Sequence, residues 1–226
     1  MTEIVKNLES VRARIDTVAR SFGRDPASVT LVAVSKRHPR ESLLEAQGAG
    51  QVDFGENYVQ EALEKFPLEG ARLHFIGPLQ RNKIRKILGL SHLIHGVASL
   101  PVLEAIERIA VEESLSADVL LQLHLTDEPT KSGFSEAEFR ELLPICRKFS
   151  RTRVRGLMCM GPLEGGPDAA RPVFARARAL LQEMQEALPG ADVLSMGMSD
   201  DLDVAIEEGS TLVRVGTAIF GHRAAA

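Results

Sequence analysis

Tryptophan is absent from this 226-residue sequence, and tyrosine occurs once, as Tyr58. Without aromatic platforms, stacking of single-stranded bases has little to work with. A positive excess is missing too. The net charge is −4 and the pI about 5.9, so no global field draws the chain to nucleic acid or to an anionic membrane. Cysteine is scarce: Cys146 and Cys159 match no metal-ligand spacing and make no disulfide framework. Two reduced core thiols are expected. No apolar run approaches the ~20 residues that span a bilayer. The opening "MTEIVKNLESVRARI" carries charges where a signal peptide needs an unbroken apolar core. These absences predict a soluble, cytoplasmic protein that binds neither nucleic acid nor membrane.

What is present is ordinary globular material, 44% hydrophobic and 26% charged. Ile4, Leu8, Val11, Ile15 and Val18 recur at helical spacing and predict an amphipathic first helix. Eight short apolar runs follow: 31–35, 52–55, 73–77, 92–97, 118–125, 153–160, 192–197 and 211–216. Helix-like segments separate them, among them 40–50, 59–66, 80–90, 100–114, 135–149, 169–188 and 200–209. Continuous apolar runs joined by helices imply a parallel sheet covered by helices. An open doubly wound sheet usually carries a glycine-rich phosphate turn after its first strand. Here that strand is followed by "KRHPR", without glycine. The reading is therefore an α/β chain, a single (β/α)8 TIM barrel over residues 1–226 with an extra N-terminal helix. The Gly- and Pro-rich segment 161–168 fits a loop between strand and helix better than a domain boundary.

In such barrels the chemistry gathers where strands end and helices begin. "LVAVSK" ends an apolar strand on Lys36. That ammonium either snorkels to solvent or stands at the barrel mouth as a nucleophile for an aldehyde. The last two loops, "GMSDD" and "VGTAIFG", place Ser199, Gly216 and Thr217 where this fold commonly binds phosphate. Ser199 also suits an ordinary helix N-cap, and Asp200 and Asp201 suit a helix first turn better than a metal site. Arg214 lies inside a strand, where a guanidinium needs an ion-pair partner or a ligand acceptor. Lysine, phosphate cradle and arginine together suggest a phosphorylated aldehyde, and pyridoxal 5′-phosphate (PLP) fits best. The basic stretch from Arg81 to Lys86 is expected to be a solvated face, and His74 and His124 to serve as polar core or rim groups rather than metal ligands.

The segments "VAVSK", "FGENYVQEALEK", "LHFIGPLQRNK", "TKSGF", "RGLM" and "GMSDDLDVAIEEGSTLVRVGTAIFG" resemble the pyridoxal phosphate homeostasis protein family. The resemblance runs from about Leu31 to Arg223 and implies the alanine racemase N-terminal barrel. By the same resemblance, Lys36 forms a Schiff base with PLP, while Ser199, Gly216 and Thr217 hold its phosphate. Arg214 faces the pyridine nitrogen, Asn57 and Met158 line the cofactor, and Lys131 approaches the ring substituents. "RHP" after Lys36 and "MCMGP" after Leu157 depart from the pattern at the rim.

Racemisation needs a base on each face of the substrate carbon. Alanine racemases, which resemble this barrel, take their second base, a tyrosine, from an additional domain of a partner subunit. No counterpart is identified here, and nothing marks Tyr58 as that base. An arginine at the pyridine nitrogen also leaves PLP a poorer electron sink than an aspartate does. The expectation is a monomeric carrier in vitamin B6 and amino-acid homeostasis, without strong catalysis, with apo PLP-dependent enzymes as recipients. A small PLP-dependent racemase is the alternative.

Overall fold

Each of the eight apolar runs forms a strand in the computed structural model, which describes residues 1–128 and 132–221. In chain order these are β1 (Thr30–Val34), β2 (Asp53–Glu56), β3 (Arg72–Phe75), β4 (Ser91–Val97), β5 (Ala117–Gln122), β6 (Thr152–Met158), β7 (Val193–Ser195) and β8 (Leu212–Val215). Neighbours are parallel throughout, and β8 pairs back onto β1 from Thr30↔Leu212 to Ala33↔Val215, closing the barrel. Both faces of such strands are buried, which is why they show continuous rather than alternating hydrophobicity.

Helices α2 (Arg40–Gly48), α3 (Val59–Lys65), α5 (Leu100–Glu112), α6 (Glu136–Cys146), α7 (Gly166–Ala187) and α8 (Leu202–Glu207) occupy the predicted connections. After β3 the expected helix over 80–90 shrinks to a 3-10 turn at Arg81–Lys83 and a single turn, α4 (Ile84–Ile87). Only Ile84, Ile87 and Leu88 turn inward there, too few to seat a longer helix. The short α9 (Thr217–Phe220) follows β8.

The N-terminal helix α1 (Glu3–Ser21) buries Leu8, Val11, Ile15 and Ala19, with Ile4 and Val18 partly covered. It packs on α2, α8 and α9 and so straps the seam between the first and last strands. The Asn7 side chain adds a hydrogen bond to the Ile219 carbonyl at 3.1 Å. Leu8 is wholly buried, so Leu8→Ala is expected to cost about 2–3 kcal/mol by transfer and cavity terms. Urea unfolding of the two proteins checks this.

Paired residues in parallel strands share a face. The registers Gly55↔His74, His74↔Leu93, Val32↔Arg214 and Met158↔Ser195 define the inward set. Inside the barrel, Val32, Leu93, Leu120, Met158 and Leu212 make a small apolar plug, separate from the large core between sheet and helices. Asp53, His74, His95, Gln122, Ser195 and Arg214 are also inward and buried. The barrel interior is thus part hydrocarbon and part polar.

Candidate cofactor site

Lys36 sits just past β1 in a tight turn. The His38 N–H donates to the Ser35 carbonyl at 3.1 Å, and Arg37 between them has φ 64. Left-handed backbone is costly for a side chain such as arginine, and neighbouring groups must hold it. Glu61 does so, accepting the Arg37 N–H at 2.6 Å. On the other side of the turn, Ser35 is clamped by its hydroxyl to Glu56 at 2.7 Å and by its carbonyl to the Lys65 ammonium at 2.9 Å. Lys65 also bonds Glu56 at 2.9 Å and Glu61 at 2.8 Å. Burial pushes the Glu56 carboxyl up, and the Lys65 and Ser35 hydrogen bonds oppose this only in part. A buried acid–amine pair therefore fixes the backbone from which half-buried Lys36 projects.

The end of β8 lies against the end of β1. A Cβ on Gly216 would stand 3.1 Å from the Val34 carbonyl oxygen, so the smallest residue is the one that fits this approach. The His38 ring meets Phe220 of α9 with centroids 5.1 Å apart, which joins the Lys36 turn to the segment carrying Gly216 and Thr217. Half-buried Ser199 lies in the loop after β7 and gives its carbonyl to Arg14 at 3.0 Å. Ser199 is not the N-cap of α8. That position belongs to Asp201, whose carboxylate accepts the Met198 N–H at 2.6 Å and thereby folds the loop. Burial raises the Asp201 carboxyl, against the pull of Arg214.

Arg214 is 6% exposed and, among the described residues, has no carboxylate in ion-pair contact. It donates to the Ser195 hydroxyl at 2.6 Å and to the Cys159 carbonyl at 3.1 Å. Burial lowers its pKa, but a guanidinium remains charged in proteins.

Asn57 and Met158 line one cavity of about 480 Å³ at the C-terminal ends of the strands, together with Gln122, Met160, Gly77 and Gly96. Two glycines permit it: a Cβ on Gly77 would fall 2.1 Å from the Asn57 carbonyl oxygen, and one on Gly96 2.3 Å from that of Gly77. Tyr58 stands outside, 44% exposed, with its hydroxyl accepting from Arg37 at 3.3 Å. In the basic stretch, Arg85 pairs with Glu112 at the end of α5 and with Glu113 just beyond it, while Lys83 and Lys86 border a surface cleft beside Tyr58. Lys131 lies outside the described residues. Among those described, no cluster of His, Cys, Asp or Glu is suited to a metal ion. Nor is any helix long and apolar enough to cross a membrane. Cys146 and Cys159 are both buried, and burial lifts the Cys146 thiol to about 11.

Sequence reasoning missed the polar groups beneath Arg214. The His95 ring joins the Ser195 hydroxyl at 3.0 Å and the His74 ring at 2.9 Å, and His74 meets Asp53 at 2.8 Å. His74 is a core histidine, as expected. A polar residue inside an apolar run was the available signal; it pointed to Arg214 and applied equally to His95 and Ser195. A larger groove, about 640 Å³, opens on the opposite face around Arg12, Gln51, Asp53 and Arg72. Its arginines are already engaged, Arg12 by Gln51 and the Ala49 carbonyl and Arg72 by Asp53, and it lies away from the strand ends that carry chemistry in this fold.

Closed eight-stranded topology and a lysine at the end of β1 define a class that the comparisons name. Residues 7–224 match the family described as "Alanine racemase, N-terminal domain". Relatives called "Pyridoxal phosphate homeostasis protein" are 41% identical in Pseudomonas aeruginosa and 39% in Escherichia coli, each over 99% of this chain and at least 97% of the relative. The chain belongs to the pyridoxal phosphate homeostasis protein family. The structure of PipY from Synechococcus elongatus, described "with PLP bound", superposes with a TM-score of 0.86 at 38% identity, covering 96% of this chain and 100% of that one. Alanine racemase from Corynebacterium glutamicum, at 17% identity and a TM-score of 0.66, shares the fold, with 61% of its length covered.

Proposed function

We propose that this protein binds PLP reversibly as a Schiff base on Lys36 and serves intracellular PLP and amino-acid homeostasis as a carrier rather than a catalyst. The observation that supports this most is the pairing of a clamped strand-end lysine with a buried arginine that meets no carboxylate in ion-pair contact among the described residues. Ser199 and the backbone of Gly216 and Thr217 are assigned to the phosphate, Arg214 to the pyridine nitrogen, and Asn57 and Met158 to the cofactor's flank. PLP supplies an aldehyde and an electron-withdrawing ring; the protein supplies the amine, the anion donors and a restricted mouth. Arginine can only donate, so the ring nitrogen opposite it must present a lone pair, and the electron sink is weakened. The sole tyrosine is turned toward Arg37 at the rim, which does not mark it as the second base of a racemase. The unit is residues 1–226, acting as a monomer in the cytoplasm and delivering PLP to apo-enzymes.

PLP titrated into the protein is expected to produce the long-wavelength absorbance of a Schiff base, and the loaded protein to leave amino-acid α-protons unexchanged in D2O. Absence of the band at saturating PLP would overturn the cofactor assignment. Exchange at enzyme-like turnover would instead establish a racemase.

A further inference from the structure

Arg214 terminates an unbroken line of side chains that crosses the barrel interior. From it the contacts run to Ser195 at 2.6 Å, His95 at 3.0 Å, His74 at 2.9 Å and Asp53 at 2.8 Å. Ser195, His95, His74 and Asp53 are each at most 6% exposed. With neutral imidazoles between them, the Asp53 carboxylate sets the direction of every hydrogen bond in the line. A guanidinium has no acceptor, and an ionised carboxylate has no donor. Arg214 therefore donates to Ser195 Oγ, and the Ser195 hydroxyl donates to His95 Nδ1. His95 Nε2–H then donates to His74 Nδ1, and His74 Nε2–H donates to Asp53. With both rings neutral, both carry their hydrogen on Nε2. Any other neutral tautomer would oppose two acceptors inside the barrel, where an unmet polar group is expensive.

We propose that Ser195, His95, His74 and Asp53 are positioning residues for Arg214, a one-directional column of hydrogen bonds that aims its guanidinium at the ring nitrogen of PLP. The column rests on the PLP reading only at its upper end; its polarity is a property of the protein alone. Burial, reinforced by the charge of Arg214, holds the His95 imidazole well below its usual range and so keeps it neutral. Burial raises the Asp53 carboxyl, but hydrogen bonds from His74 and Arg72 and the charge of Arg72 outweigh it and keep the group ionised. Asp53 also meets half-exposed Arg72 at 2.6 Å, on the face opposite the cofactor mouth. The lower end of the column is thus anchored by a second arginine.

Nitrogen NMR of PLP-free protein labelled at histidine tests the polarity. Both His74 and His95 are expected as Nε2–H tautomers at neutral pH; a protonated ring, or an Nδ1–H tautomer at either, overturns the column. PLP loading of Ser195→Ala and His95→Leu tests its purpose. Each variant is expected to keep a borohydride-reducible linkage on Lys36, to show a displaced absorbance maximum, and to release PLP roughly tenfold faster, the equivalent of one charge-assisted hydrogen bond. A purely structural role would lower the melting temperature and leave the maximum in place, and that result overturns the proposal. Ser195→Ala removes one oxygen and leaves the histidine pair intact, so it answers even if His95→Leu does not fold. Failure of wild-type protein to take up PLP would sink the cofactor assignment, while the NMR result would still decide the column.

Discussion

Lys36→Ala is expected to abolish the Schiff-base absorbance entirely, while the protein stays folded. Lys36 is the residue that β1 delivers to the mouth, and alanine has no amine to condense with an aldehyde. The change is structurally mild. Lys36 is half-buried, and Lys65 and Glu61 hold its turn through the Ser35 carbonyl and the Arg37 N–H. The proposed phosphate donors and Arg214 are untouched by the change, so PLP should still associate weakly and noncovalently and wash out on gel filtration. Borohydride reduction followed by peptide mass spectrometry should mark residue 36 in wild type and nothing at this site in the variant. A retained band, or a label on the neighbouring amine of Lys65, would move the covalent site and refute the assignment.

Lys65→Met should be among the most damaging single changes in the chain. The ammonium, 6% exposed, is the counter-charge to wholly buried Glu56. The second oxygen of Glu56, Oε2, has no hydrogen-bond partner among the described residues. Removing one member of a buried pair strands the other's charge, at a cost of about 3–5 kcal/mol. The pH dependence has a definite sign. The folded Glu56 carboxyl already lies above its usual 4.5 because of burial, and loss of Lys65 raises it further. The folded state then holds a proton that the unfolded state gives up, so the deficit is full above the folded pKa and shrinks as pH falls through it. Denaturant unfolding of both proteins at neutral and mildly acidic pH should show the gap narrowing in acid. Lys65→Met combined with Glu56→Gln should recover much of the loss. A deficit that widens in acid would show that Glu56 is not the stranded charge. The variant should also bind PLP less well, because Lys65 holds the carbonyl of the residue before Lys36.

The strands were legible because parallel barrel strands, buried on both faces, leave short uninterrupted apolar runs between helical periods. The first helix was legible because a single apolar face repeats over its length. The connection after β3 was not, because "NKIRKIL" has helical spacing for one turn only, and tertiary room decides whether a helix continues. Lys36, Gly216 and Thr217 could be placed because the fold assigns chemistry to strand ends. Glu56 and Lys65 escaped notice for a related reason. They belong to "FGENYVQEALEK", a stretch already noted for its motif, yet their pairing depends on how α3 packs against β2. Asp53 meets His74 on the neighbouring strand, and His95 and Ser195 are joined only across the barrel, between β4 and β7. Periodicity along the chain carries no information about which inward residue meets which.

The strap formed by α1 has a consequence for synthesis. Asn7 and its partner Ile219 are 212 residues apart in sequence, and β1 finds its second neighbour only when β8 has been made. Throughout translation one edge of β1 stays open, with its backbone N–H and C=O groups available to any passing strand. Topologies dominated by such distant pairings fold late and expose sticky intermediates. The apolar stripe of α1 emerges from the ribosome before β1 does, and it lacks its final docking surface on α8 and α9 until the end. Nascent chains truncated before Leu212 are therefore expected to need chaperone protection. The full-length chain gains its closing strand and the cover for its first helix in the same late event.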